Sequence, residues 1–452
     1  MKRVSVILLL LLAAADDAIA QAPPLRLTLD EAIARGIEAH PRLEELGARQ
    51  EAARAIEGQR EAAGQPQLAA IASYTRTNHV DEFRVANASG GVQVIYPDIP
   101  DQVRSRIDLQ WPIYTGGRLA ALTRAAGAEA EAAGQDREAA RADLKLEITR
   151  AFWAVLTARA SVDVVRQALE RTSAHLTDVR NQLGVGLVPP SDVLTIEAQH
   201  ARQRMLSIEA ETIVETTTAD FKRLVGVDQD VPLELIADLK VSTTSGVGST
   251  TSAVSRPGLA LQDPAVVAQA RDNRAERRSL LFRITAADER VAAASAGSLP
   301  VLTAIAGYDL SRPNTRIFPI QEKWTPSWDI GVIVRWSLFD GGRARAETAE
   351  AAANRRAIDA RLRDFDAGVQ VEVRQRLAEV ASAFAAIEAA VAGVRAATEA
   401  RRVIAERFGA GVATNTDVLN AQTVLLQAEL DVTRARANAE LASARLARAL
   451  GQ

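Results

Sequence analysis

Hydrophobic positions along the chain follow two periods, and the switches between them outline the elements. Leu144, Ile148, Ala151, Val155, Ala158, Val162, Val165, Leu169, Thr172, Leu176, Val179 and Leu183 recur at alternating spacings of four and three, which is the seam of a helix packed against another helix. Val373, Leu377, Val380, Phe384, Ile387, Val391 and Val394 keep the same phase. No proline falls between Gly117 and Leu183, so at about 1.5 Å per residue this helix would be on the order of 100 Å long. The pattern predicts long helices over about 117–183 and 343–408, with shorter return helices over about 191–225 and 416–450. Elsewhere the period drops to two. Ile107, Leu109, Trp111 and Ile113 share one face opposite Arg106, Asp108 and Gln110. Trp328, Ile330, Val332, Val334, Trp336 and Leu338 oppose Asp329, Arg335 and Ser337. These are half-exposed strands, over about 104–114 and 328–339, with weaker partners around Tyr74 (67–76) and Tyr308 (300–311).

The same unit is written twice. Trp111-Pro112-Ile113-Tyr114-Thr115-Gly116-Gly117-Arg118 returns as Trp336-Ser337-Leu338-Phe339-Asp340-Gly341-Gly342-Arg343, a shift of 225 residues that then holds to Gly226 and Gly451. Upstream, Pro66 to Tyr74 matches Pro300 to Tyr308 at a shift of 234, so the first copy has the longer loop between its strands. Residues 21–226 and 261–452 are the two repeats, joined by a Ser-, Thr- and Gly-rich linker over 227–260. The fold class is mainly α with a smaller β part, as a duplicated helix, strand, strand, long helix, helix unit.

The first twenty residues stand apart. Met1, Lys2 and Arg3, the apolar run Val4 to Leu12, and Ala18-Ile19-Ala20 before Gln21 predict a cleaved secretory signal over 1–20. That run is too short to span a bilayer, and no other stretch holds 18 consecutive apolar residues. An exported chain of this kind stays in solution as a periplasmic coiled-coil scaffold, sits on a surface, or crosses a membrane as a β-barrel. Four strands of about ten residues with one apolar face suit a barrel wall, although a soluble sheet edge would alternate too. Because membrane barrels begin at eight strands, four cannot close, and a barrel would need at least two copies of the chain. The export signal and the long helices favour the membrane.

Composition removes other classes. The formal net charge of −3 and scattered arginines give no basic block for nucleic acid. Absence of cysteine excludes disulfides, thiolate metal sites and a cysteine nucleophile. His40, His79, His175 and His200 do not fall at metal-binding spacing and read as surface residues. Neither a phosphate-binding GxxxxGK[ST] nor a GxSxG occurs, so neither an enzyme nor a cofactor or metal site is expected.

With these features in order, the chain resembles the outer-membrane efflux protein family, the TolC-like exit ducts of Gram-negative bacteria. The resemblance rests on Leu27-Thr28-Leu29-Asp30-Glu31-Ala32-Ile33 with His40-Pro41-Arg42-Leu43, on the two strand-Gly-Gly-Arg junctions, and on the turns Leu183 to Leu194 and Phe408 to Leu419. It implies a homotrimer: a 12-stranded barrel in outer-membrane lipid, an α-helical periplasmic cylinder, and the linker packed around the cylinder's middle. It also implies an exit duct of a tripartite efflux or type I secretion system, served by a periplasmic adaptor and an inner-membrane pump of RND or ABC type.

Each turn must reverse the chain between two antiparallel helices, and Gly186 and Gly411 are the residues best able to take a positive φ there. Ser191 or Thr416 is then expected to cap the returning helix, with Asp192 or Asp417 in its first turn. For both aspartates the resemblance adds a second reading, a ring of negative charge at a narrow periplasmic entrance. It places Phe408, Ala413 and Asn420 beside them, where the family's best-known member has a tyrosine, an arginine and a further aspartate. It makes Val185, Gly186, Leu187, Val188, Ala410, Gly411 and Val412 an adaptor-docking tip, although residue by residue packing between hairpins accounts for them equally well. Tyr74, Trp111, Tyr308, Trp328 and Trp336 are expected as aromatic anchors of the barrel.

Overall fold

The computed structural model describes residues 24–88, 90–237 and 264–452; the leader over 1–20 and most of the linker lie outside the described residues. The elements run β1 (Leu25–Leu27), α1 (Leu29–Ala39), α2 (Pro41–Ala62), β2 (Gln67–Arg76), β3 (Phe83–Ala86), β4 (Val92–Tyr96), β5 (Asp101–Tyr114), α3 (Arg118–Gly184), α4 (Pro190–Leu224), β6 (Leu233–Leu235), α5 (Pro264–Asn273), α6 (Ala275–Ser295), β7 (Val301–Arg312), β8 (Thr325–Arg335), α7 (Arg343–Gly409) and α8 (Asn415–Ala449). Two compact units interleave along the sequence. One comprises the chain up to Glu44, Glu138–Arg274 and Ala367–Gln452; the other comprises Glu45–Arg137 and Ala275–Asp366.

Among its described residues the first unit is helical apart from β1 and β6, which pair in parallel. Thr28 and Glu31 open α1 with a reciprocal capping box, the reason for the Leu-Thr-Leu-Asp-Glu pattern. On α3, Leu144, Ile148, Phe152 and Val155 are fully buried, and Phe152 meets Phe221 of α4 edge-on at 6.0 Å. A β-carbon at Gly36 would strike Ile148, so the glycine lets α1 approach α3 this closely. The α3 seam is buried or half-buried from Leu144 through Leu183. The α7 seam is not: Val373, Leu377 and Val380 are buried, but Phe384 is exposed. An 18-residue stretch of α7 is apolar enough, by length and composition alone, to cross a membrane, and only 11% of it is buried.

The second unit carries a four-stranded antiparallel sheet in the order β2-β5-β7-β8. On one face Ile107 opposes Tyr308 and Tyr308 opposes Trp328; on the other Arg106 opposes Asp309 and Asp309 opposes Ser327. β2 and β8 each have one sheet neighbour and are open edges. The longer loop of the first copy folds as a second hairpin, β3 with β4. β5 begins at Asp101, three residues before the expected start. β8 is displaced toward the N-terminus, so Trp336 and Leu338 fall beyond its end. Trp336 leaves the ladder because its indole Nε1 donates to the Ser298 carbonyl at 3.1 Å, at the foot of the neighbouring strand.

Strand hands over to helix through paired glycines of positive φ, Gly116-Gly117 and Gly341-Gly342. In the second copy Asp340 completes the junction by accepting from the backbone N–H groups of Ala344 and Gly342 at 2.8 and 2.9 Å. The Ala344 bond is the main reason its carboxyl is held below the usual range.

Candidate functional site

Both turns between a long and a return helix are built alike. In the first, Leu187 N–H donates to the Gln182 carbonyl and Gly186 N–H to the Leu183 carbonyl, each at 2.9 Å. In the second, Val412 donates to Arg407 and Gly411 to Phe408, again at 2.9 Å. These paired bonds are the Schellman arrangement, which requires a left-handed residue, and Gly186 and Gly411 supply it with φ of 77° and 74°. Chain reversal throws the flanking apolar residues outward: Val185 is 72% exposed, Leu187 75% and Val412 63%. Ala410 is exposed as well, while Val188 packs on a buried cluster of Leu176, Val179, Val193, Ile196 and Leu419.

The caps differ from expectation. Thr414, not Thr416, precedes α8, and its hydroxyl accepts from Asp417 N–H while Asp417 Oδ2 accepts from Thr414 N–H at 2.9 Å and from its hydroxyl at 2.7 Å. Asp417 is therefore third in the helix, the position from which an acidic side chain can reach back. Its carboxyl is held below the usual range, first by the Thr414 hydroxyl and then by the Thr414 backbone. In the first copy Pro189 occupies the cap position and makes no side-chain bond, since Pro189-Pro190 already fixes the helix start. Ser191 is inside that helix, where its carbonyl accepts from Thr195. The Asp192 side chain takes no part in a cap. Asn420 is exposed; Ala413 is partly buried.

Just behind the turns lies a buried polar bridge that sequence reasoning missed. His175, expected at the surface, is buried on α3, with Nε2 2.8 Å from Asn415 Oδ1. Asn415 Nδ2 donates to the Asp192 carbonyl at 3.2 Å, which fixes its amide orientation and makes His175 Nε2 the donor. One helical turn away, Thr172 donates to Gln422 Oε1 at 3.0 Å. Phe408 is half-buried, edge-on to His175 at 5.3 Å and packed on the same apolar cluster. Thr172 interrupts the apolar seam, a usable signal; His175 sits beside that seam and gives none.

On the sheet, Tyr74, Trp111, Tyr308 and Trp328 are exposed, as is Trp336 beyond the strand end. Tyr74 also donates its hydroxyl to Asp101 at 2.8 Å. The opposite face carries a second missed feature, a charge network across three strands. Arg106 Nε donates to Asp108 at 2.6 Å, Arg106 Nη2 to Asp329 at 3.1 Å, and Arg104 Nε to Asp309 at 2.5 Å. Asp309 and Asp329 are near their arginines in space but remote from them in sequence.

Residues 32–227 and 266–452 match the model of the outer membrane efflux protein family. The chain belongs to that family. Its fold is that of solved outer-membrane channels. It is 21% identical to the outer membrane protein VceC from Vibrio cholerae, at a TM-score of 0.77, covering 94% of this chain and 96% of that one. The Campylobacter jejuni CmeC outer membrane channel gives 17%, 0.75, 94% and 85%. The Neisseria gonorrhoeae MtrE outer membrane channel, solved in an open state, gives 18%, 0.72, 94% and 88%. No curated protein sequence matches the chain significantly. This family member is accordingly an outer membrane efflux protein with the fold of outer-membrane channels, and the soluble-scaffold alternative is not favoured.

Proposed function

We propose that three copies of this chain form one passive exit duct, in which a periplasmic adaptor joins an inner-membrane pump of RND or ABC type to the outside. The observation that carries this reading is the four-stranded sheet, with one apolar face, one charged face and two open edges. Apolar surface belongs against lipid and charge against water, and four strands cannot separate the two. Three chains would supply a 12-stranded wall. The bare apolar stretch of α7 fits the same assembly, since a neighbouring chain would cover it.

The turns are then the periplasmic end. Val185, Leu187, Ala410 and Val412, displayed around Gly186 and Gly411 and backed by the half-buried Val188, form an apolar tip for the adaptor, and Asp192, Asp417, Asn420, Phe408 and Ala413 surround the entrance. Threefold repetition would turn each aspartate into a ring that attracts cations. Energy comes from the pump, because a duct of this kind performs no chemistry. Reconstituted full-length chain should give stepwise ionic currents across a planar bilayer; inserted trimers that carry no current would remove the conduit reading.

A further inference from the structure

The connection between β7 and β8, residues 313–324, folds back onto the sheet instead of standing clear of it. Asn314, 4% exposed, is the anchor. Its Nδ2 donates to the Thr325 carbonyl at 2.9 Å and to Ser327 Oγ at 3.1 Å, and its Oδ1 accepts from the Arg316 backbone at 3.0 Å. That turn brings the Arg316 guanidinium to 2.8 Å from Asp329 Oδ1. Ser327 and Asp329 alternate along β8 with the exposed Trp328 and Ile330, so the loop is pinned to the charged face and not the apolar one.

We infer that residues 313–318 form a constriction inside the barrel at its end away from the helices, with Arg316 as a charge-selecting residue for solutes leaving the duct. This rests on the trimeric-barrel reading, in which the charged face is the lumen. Arg104, Arg106 and Arg316 meet Asp108, Asp309 and Asp329, so the network is neutral within each chain. It is not neutral toward water. Asp309 is 4% exposed, whereas the Arg104 and Arg316 side chains are 53% and 45% exposed. Asp108 and Asp329 are 26% and 27% exposed and Arg106 17%, so the two groups that reach furthest into water are the guanidinium groups of Arg104 and Arg316; a solute meets positive potential and anions are favoured over cations there. Removing Arg316 would leave one excess negative charge per chain, repeated three times around the axis.

The test is single-channel recording of the full-length protein in planar bilayers under a potassium chloride gradient. Arg316→Ala should raise the unit conductance and move the reversal potential toward the potassium equilibrium value, while Arg316→Lys should stay near the wild type. Unchanged conductance and reversal potential in Arg316→Ala would overturn the inference. The natural chain has no cysteine, so Arg316→Cys offers a single thiol. A bulky methanethiosulfonate reagent should cut its current and leave wild-type current intact; reaction without loss of current would place the loop outside the lumen. Conducting wild-type trimers with indifferent Arg316 variants would reject the constriction and keep the duct. Trimers that never conduct would reject both.

Discussion

The guanidinium of Arg106 lies directly over Gly307, in the space that a side chain at that position would fill. Gly307 stands between Asp108 and Asp329 in the strand register, so the missing β-carbon lets one arginine bridge carboxylates on two strands that are not neighbours. Gly307→Ala should displace Arg106 and strip Asp329 of one partner, costing about 1–3 kcal/mol. Heat dissociation of the detergent-solubilised protein should occur at lower temperature, and Gly331→Ala, which faces only Ile305 at ordinary contact distance, provides the control.

The two turn aspartates should part company when each is replaced by alanine. Asp417→Ala removes a capping box, so both stability and ion selectivity should change; Asp192→Ala removes no cap and should change selectivity alone. Thermal melts with bilayer reversal potentials check both. The Asp417 carboxyl is depressed in the folded state, so its contribution is complete above the unfolded value of about 3.9 and is lost as pH falls through the lower folded value. Thr414→Ala, at the other end of the same box, should cost about 1 kcal/mol.

Much of this is legible in sequence because it is local or repeated. Turn glycines, strand-Gly-Gly-Arg junctions and alternating strands depend on neighbours a few residues apart, and each occurs in both copies. What stays hidden depends on partners that no period connects. Asp309 and Asp329 lie 205 and 223 residues from Arg104 and Arg106, and a charged strand face does not say which charges pair. His175 reads as a surface residue because its buried partner Asn415 lies across the fold on another helix. The cap at Thr414 rather than Thr416 follows from where the Schellman turn releases the chain, a geometric detail that Ser191 and Thr416 do not encode.

Asn415 joins His175 to the Asp192 carbonyl, so Asn415→Ala would leave the buried His175 donor unpaired. A loss of about 1–3 kcal/mol is expected, together with faster proteolytic cleavage at the turn near Leu187. An unaltered melt would show that water replaces the amide without cost.

Neighbouring positions on β8 distinguish lipid from lumen. Ile330→Arg places a charge on the apolar face and should cost about 2–4 kcal/mol if it meets the bilayer midplane, leaving little trimer in outer-membrane fractions. Ile333→Arg, on the charged face, should assemble. Equal recovery of the two would contradict the assignment of faces.

Trimer closure underlies every proposed role of the sheet, the turns and the loop, and the mass of the native particle in mild detergent tests it most directly. Native mass spectrometry should give three chains, with no smaller species carrying current. A stable conducting monomer or dimer would rule out closure between three chains.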